Sequence, residues 1–258
     1  MVQNYLQHCQ QILKRISDQE LAIKTAASWF VQTILSGRMV HVFGSGHSRI
    51  MVEEMWPRYG SFPGFNPIVE LSLTFHNGVV GANGQRQAMF RENVPGLADR
   101  ILRNFGLSST DTALIISSSG TNIVPVEMAE AFKRKNIKVV ALLTVQHSAA
   151  SASKRADGKK LADFADLVLD TGAPAGDAMV AVPGLDTPVA PGSTIGGVLL
   201  VNCIKAELAR LLTEAGQPPK VLTASCLVGI EKATSLFESA YDEHSHRLAK
   251  LYENAGKE

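Results

Sequence analysis

A chain of 258 residues, 45% of them hydrophobic and 19% charged, has a globular composition and can bury a sizeable core without disulfide or metal staples. Its 25 Lys and Arg nearly balance its 24 Asp and Glu, for a formal charge of +1, and no basic run is present, so nothing in the charge points to nucleic acid. Cys9, Cys203 and Cys226 are odd in number and far apart, which argues against a disulfide framework or paired metal site and reads as buried thiols in a reducing compartment. No apolar run of roughly 18 residues occurs, and residues 1–8 lack the basic and apolar regions of a signal peptide. The expectation is a cytoplasmic protein without a membrane partner.

Residues 1–36 carry apolar side chains at three-to-four spacing (Leu6, Cys9, Leu13, Ile16, then Leu21, Trp29, Ile34), which predicts two helices. Ser17-x-x-Glu20 fits a capping box for the second helix and Gly37 fits its C-terminal stop. Residues 39–43 are a short apolar run ending at glycines, and a helical stretch follows from Arg49 to about Tyr59. Residues 67–73 form a weaker strand candidate within residues 60–96, an irregular segment rich in Gly, Pro and Asn of the kind that often carries function. The strand–loop–helix unit recurs over residues 112–117, 118–122 and 123–135, with Pro125 tolerable in a first turn. Residues 138–144 and 166–170 are two further buried-strand candidates, and residues 193–213 another helix. Residues 223–252 predict a long helix whose stripe (Leu227, Ile230, Phe237, Tyr241, His244, Leu248, Leu251) requires cover from the N-terminal helices or a second subunit. Continuous apolar strands alternating with helices predict an α/β fold: a doubly wound, parallel, five-stranded sheet with helical extensions at both ends.

Two loops carry chemistry. Gly44-Ser45-Gly46-His47-Ser48 links a strand to a helix, where glycines admit close approach of a ligand and a helix start offers N–H groups. It is neither a dinucleotide fingerprint nor a P-loop. Ser117-Ser118-Ser119-Gly120-Thr121-Asn122 places hydroxyls densely around one glycine, enough donors to surround a tetrahedral anion without Lys or Arg. A simple helix cap needs only one such hydroxyl. In a sheet ordered 2-1-3-4-5 both loops end strands that flank the topological switch point and line one crevice.

In these motifs the chain resembles the sugar isomerase (SIS) domain family. Gly-Ser-Gly-His-Ser, Ser-x-Ser-Gly-Thr-Asn and the following strand Val139-Val140-Ala141-Leu142-Leu143-Thr144 are the family's landmarks in order. The resemblance covers about residues 20–212 and implies a flavodoxin-like sheet. The helices over 1–36 and the long helix over 221–254 are read from their apolar spacing as additions to it, giving one domain over 1–258, and the resemblance further implies a homo-oligomer with sites near subunit boundaries. The implied partner is a phosphorylated sugar, its phosphate held by Ser117, Ser119 and Thr121 with Ser118, Gly120 and Asn122 nearby. Gly44, Ser45, Gly46, His47, Ser48 and Thr194 would contact the sugar.

Among SIS proteins the segment from Gly44 to Gly60 is most similar to phosphoheptose isomerases, whose catalytic glutamate maps to Glu54. Seven residues separate Glu54 from His47, which predicts one shared helix face toward the crevice, where partial burial would raise the carboxyl toward neutrality. The chain departs from that pattern at Ile50, where those enzymes carry a histidine, and at residues 191–197, which contain none. No zinc site and no cofactor are therefore expected, and Glu92 or His76 stands as the second proton-transfer group. His147 reads as a satisfied loop histidine and His41 as structural. The expected activity is aldose–ketose isomerisation of a sugar phosphate. The alternatives are an amino-sugar phosphate etherase using Glu54 and Glu92, and a non-catalytic phosphosugar sensor.

Overall fold

The computed structural model of the chain describes residues 1–253 and 255. Its strands, β1 (Val40–Gly44), β2 (Phe65–Ile68), β3 (Thr112–Ile116), β4 (Lys138–Leu143) and β5 (Leu167–Asp170), pair in parallel in the order β2-β1-β3-β4-β5. The helices are α1 (Val2–Ser17), α2 (Glu20–Leu35), α3 (Arg49–Met55), α4 (Asn77–Val80), α5 (Gly84–Arg91), α6 (Leu97–Leu102), α7 (Ile123–Arg134), α8 (Val145–Ala150), α9 (Ser193–Glu214), α10 (Ser225–Val228) and α11 (Ile230–Glu253).

Side chains alternate across a pleated strand, so each central strand feeds two cores. Val40, Val42, Leu114, Ile116, Val140 and Leu142 face one side, where they share a core with buried residues of α1, α2, α3 and α9. Phe43, Ala113, Ile115, Val139, Ala141 and Leu143 face the other, with buried residues of α6 and α7. Burial on both faces explains why these strands read as continuous apolar runs.

Several boundaries differ from the sequence expectation for identifiable reasons. β2 lies earlier than residues 67–73 and includes Pro67, which is permitted because β2 is an edge strand. α3 ends at Met55, well before Tyr59, because Trp56 precedes Pro57 and a residue before proline is pushed out of the helical region; the Trp56–Pro57 bond is cis. No capping box forms at Ser17, whose hydroxyl donates instead to the Lys14 carbonyl, and Gln19 occupies the N-cap of α2. Cys203 and Cys226 are exposed and Cys9 half-buried, contrary to the expectation of buried thiols.

The long C-terminal helix is broken at Gly229 into α10 and α11, and Asn254, the last residue assigned to it, lies outside the described residues. Its lower half docks on the ends of α3 and α2: the Tyr241 and His244 rings lie 5.4 and 5.1 Å from Trp56, and Arg247 donates to the Ile34 and Arg38 carbonyls. Its upper half is left uncovered, with Leu227 79% and Ile230 77% exposed.

A buried polar cluster ties the N-terminal edge of the sheet. Arg38 donates to both Asp111 carboxylate oxygens at 2.7 and 2.8 Å, and the Ser108 amide adds a bond at 2.8 Å. Asn66 donates to His41 Nδ1 at 3.0 Å, which leaves Nε2–H to donate to Asp111 at 3.1 Å. His41 is thus structural, far along the strand from the loops. Burial opposes ionisation of Asp111, but the bonds from Arg38 and His41 outweigh it and hold the carboxyl below its ordinary value.

Candidate functional site

β1 and β3 are neighbours whose following chains diverge, and both loops sit at their carboxyl ends. Beyond Ser45 the chain makes a 3-10 turn, Gly46–Ser48, and then enters α3. Gly46 has φ +56°, and a Cβ there would lie 2.5 Å from Phe75 Cζ. The Phe75 ring therefore rests on the glycine loop, and Arg49 donates to His76 Nε2 at 3.0 Å, so part of the irregular segment folds over the loop.

Glu92, the residue after α5, joins the two loops. Only 6% exposed, its carboxylate accepts from Ser45 Oγ on one oxygen and from Asn122 Nδ2 on the other, each at 2.7 Å. Its carbonyl accepts the Val124 amide of α7 at 2.9 Å, and Asn93 Oδ1 accepts that of Ile123 at 3.4 Å. These two first-turn donors, expected to face an anion, are thus engaged by the chain itself and anchor Glu92. Burial pushes the Glu92 carboxyl above its ordinary value, against the opposing pull of Ser45 and Lys154.

Beside this bridge lies a cavity of about 90 Å³ lined by His47, Ser48, Met51, Ser118, Asp177 and Thr194, together with Ile116, Leu142, Thr171 and Ser193. A ladder of hydroxyls crosses the strand ends, Ser118 to Thr144 at 3.2 Å and Thr144 to Thr171 at 2.6 Å. Asp177 accepts from the amides of Gly192 and Ser193 at 3.0 and 2.7 Å and from the Ser193 hydroxyl, filling the start of α9. On the serine loop, Ser117 Oγ accepts from the Gly120 amide at 3.2 Å and Thr121 Oγ1 donates to Ser119 Oγ at 3.0 Å.

The SIS domain model matches residues 4–144, more than half of the chain. The chain belongs to the SIS domain family. UPF0309 proteins of Listeria innocua and Geobacillus kaustophilus are 29% and 30% identical to it, over 97% and 98% of this chain and 98% and 94% of theirs. A phosphoheptose isomerase from Francisella tularensis has the same fold, with a TM-score of 0.52 at 16% identity over 81% of this chain and 96% of that one.

Within this SIS domain the site residues named from sequence divide into two groups. Ser45, His47, Ser48, Ser118, Asn122, Thr194 and Glu92 meet at the crevice, Gly44 and Gly46 shape its floor, and Ser117, Ser119, Gly120 and Thr121 form the serine loop. Glu54 and His76 do not join them. Glu54 turns to α9, accepting from Asn202 at 2.7 Å and from Arg58 at 2.5 Å, and does not line the cavity that His47 and Ser48 line. Burial would raise its carboxyl, but these bonds prevail and hold it below its ordinary value, so the expected rise toward neutrality is reversed. His76 is exposed on Arg49. His147 lies on α8 with its Nδ1 lacking a hydrogen-bond partner, unlike the satisfied loop histidine expected. Sequence reasoning missed Thr144, Thr171 and Asp177, which carry no local signal beyond residue type.

Among the described residues, no cluster of three or more His, Cys, Asp and Glu is arranged to hold a metal, and no helix is long and apolar enough to cross a membrane.

Proposed function

We propose that this SIS protein is a sugar-phosphate aldose–ketose isomerase in which Glu92 carries the proton between adjacent carbons. The observation that carries this reading is the buried Glu92 carboxylate, raised by burial and shared between the glycine and serine loops. Each of its oxygens receives one donor and keeps a second acceptor site for a substrate proton. A raised carboxyl lies closer to the operating pH, where general-base catalysis is most effective.

Electrostatics orient the substrate. The small cavity carries the Asp177 carboxylate, so it suits sugar hydroxyls, with Ser48, Ser118 and Thr194 as partners, and repels a phosphate dianion. The phosphate is therefore assigned to the outer side of Ser117–Asn122. At about 90 Å³ the cavity is below the 300–1,000 Å³ of typical ligand pockets, so the sugar chain extends from it across Ser45 and Glu92. Glu92 removes the proton from the carbon beside the carbonyl. The C–H electrons form the enediolate double bond as the carbonyl oxygen gains charge; the hydroxyl proton on the deprotonated carbon passes to that oxygen, the electron pair it leaves behind forms the new carbonyl, and the double-bond electrons take the proton back from Glu92 at the former carbonyl carbon, which completes the isomerisation. Glu54, locked to Asn202 and Arg58, is assigned to holding α3 against α9. The uncovered stripe of Leu227 and Ile230 supports assembly as a homo-oligomer.

The test is proton exchange. Hexose, heptose and N-acetyl-amino-sugar 6-phosphates and pentose 5-phosphates are incubated with the protein in D₂O and deuterium at carbon 2 is read by NMR. One of them should exchange and isomerise, Glu92→Gln should slow exchange by about 10²–10⁴-fold, and Glu54→Gln should retain most of it. Binding without exchange would assign a sensor, and release of an acid fragment would assign elimination.

A further inference from the structure

We propose that Lys154 is a positioning residue that sets the ionisation of Glu92 through the side-chain amide of Asn122. This rests on the reading of Glu92 as the proton carrier.

The observation begins at an N-cap whose side chain does not cap. Asn122 immediately precedes α7, the place where an Asn side chain ordinarily accepts an amide of the first turn. It accepts none. Its Oδ1 instead accepts the ammonium of Lys154, and its Nδ2 donates to Glu92 at 2.7 Å. The carbonyl of Glu92 and the side chain of Asn93 take over the first-turn amides of α7. The amide of Asn122 is thereby held between a cation and a carboxylate, polarised by both, and its orientation follows from its partners: a carboxylate accepts only from the NH₂ end, and an ammonium donates only to the oxygen.

Lys154 is held in place to do this. Its own amide donates to the Thr121 carbonyl at 3.2 Å, which stitches the segment carrying it to the serine loop. The neighbouring cations face elsewhere: Arg155 pairs with Glu130 at 2.7 Å and Asp157 at 2.7 Å, Lys159 lies over the Phe164 ring, and Lys160 donates to the Ser148 carbonyl. Among the described residues Lys154 is the charged side chain whose field reaches Glu92; Ser45 and Asn122, its other polar partners, are neutral. A buried carboxylate that must accept a proton has to be ionised first. A cation one amide away favours that form while leaving the carboxylate without a direct ion pair that would block the approach of substrate.

The test is the titration of Glu92 itself, which needs no substrate and so stands apart from the isomerase assay. Full-length protein labelled with ¹³C at the glutamate carboxyls is titrated by NMR, with the Glu92 resonance identified by its absence in Glu92→Gln. Lys154 is exposed, so Lys154→Met should fold, and it should raise the Glu92 midpoint by about half a pH unit or more, whereas Lys154→Arg should restore it. In an Asn122→Ala background Lys154→Met should raise it distinctly less, because only the through-space field then remains. An unchanged midpoint in Lys154→Met would overturn the proposal, as would an equal rise with and without Asn122, which would mean that the amide relays nothing.

Discussion

Replacing Gly46 by alanine tests whether the irregular segment is held on the glycine loop by packing. Gly46 has φ +56°, a left-handed conformation that costs a non-glycine residue about 1–2 kcal/mol. Its new Cβ would also lie 2.5 Å from the tip of the Phe75 ring, where carbon atoms normally stay about 3.5–4 Å apart. Overpacking of this kind costs about 1–3 kcal/mol, and the low end applies because the half-buried ring can swing. The sum is about 2–3 kcal/mol, which for a chain of this length lowers the thermal midpoint by about 5–10 °C. Phe75→Ala alone should cost about 2 kcal/mol, near half the loss for a fully buried ring. In Gly46→Ala/Phe75→Ala the backbone strain persists but the clash vanishes, so the pair should be less destabilised than the sum of the single variants by about 1 kcal/mol. Denaturant unfolding of all four proteins at one pH measures this coupling. Additivity within about 0.5 kcal/mol, or a Gly46→Ala variant as stable as the parent, would refute the contact.

Three further outcomes follow from the same structure. Gly196→Ala should be more damaging than Gly46→Ala, because its Cβ would meet the Thr171 carbonyl oxygen at 1.9 Å and backbone cannot swing aside; loss of soluble, cooperatively melting protein is expected, and a normal melt would contradict the close approach of α9 to Thr171, just beyond β5. The Asp111 carboxyl is held low in the folded state, so its stabilising contribution is whole above the ordinary carboxyl range near pH 4 and is lost as pH falls through the lowered value. Asp111→Asn should be less stable at neutral pH and show a flatter acid limb in melts from pH 7 to 2.5. Glu92 has the opposite sign: its folded value is raised, so its ionisation costs stability as pH rises from the ordinary carboxyl range through that raised value. Glu92→Gln should therefore melt at or above the parent at pH 8, with the gap closing toward pH 4.5, and a variant much less stable at pH 8 would argue against the raised carboxyl.

The sheet was legible in sequence because its information is local. Residues 40–44, 112–116 and 138–143 are apolar on both faces, and each of the first two runs ends in a loop whose glycines and hydroxyls have no use inside a strand. The order 2-1-3-4-5 of a doubly wound sheet puts both loops at one crevice, because the chains leaving the first and third strands diverge there. Edges were less legible: β2 is an edge strand of four residues containing a proline, and its pattern alone does not separate it from the turn at Leu71–Leu73.

The chemistry of the site is set by contacts that no window of sequence contains. Glu92 is one carboxylate in a polar stretch until Ser45, 47 residues away, and Asn122, 30 residues away, close on it. Asp177 acquires its role only because an unusual turn, at φ 55°, sets its carboxylate against amides 15 and 16 residues further on. Glu54 shows the converse. Its pairing with Arg58 four residues later is readable from helical spacing, whereas its bond to Asn202, 148 residues away, is not, and a regular wheel drawn from His47 does not describe a chain that begins with a 3-10 turn. Which of the two glutamates is ionised at a given pH is decided by what each is buried against: an arginine and an amide for Glu54, a hydroxyl and a polarised amide for Glu92. The carboxylate with the weaker direct cationic partner is the one whose hold on a proton is raised, and that property, rather than its position in a motif, supports the proposal that Glu92 carries the substrate proton.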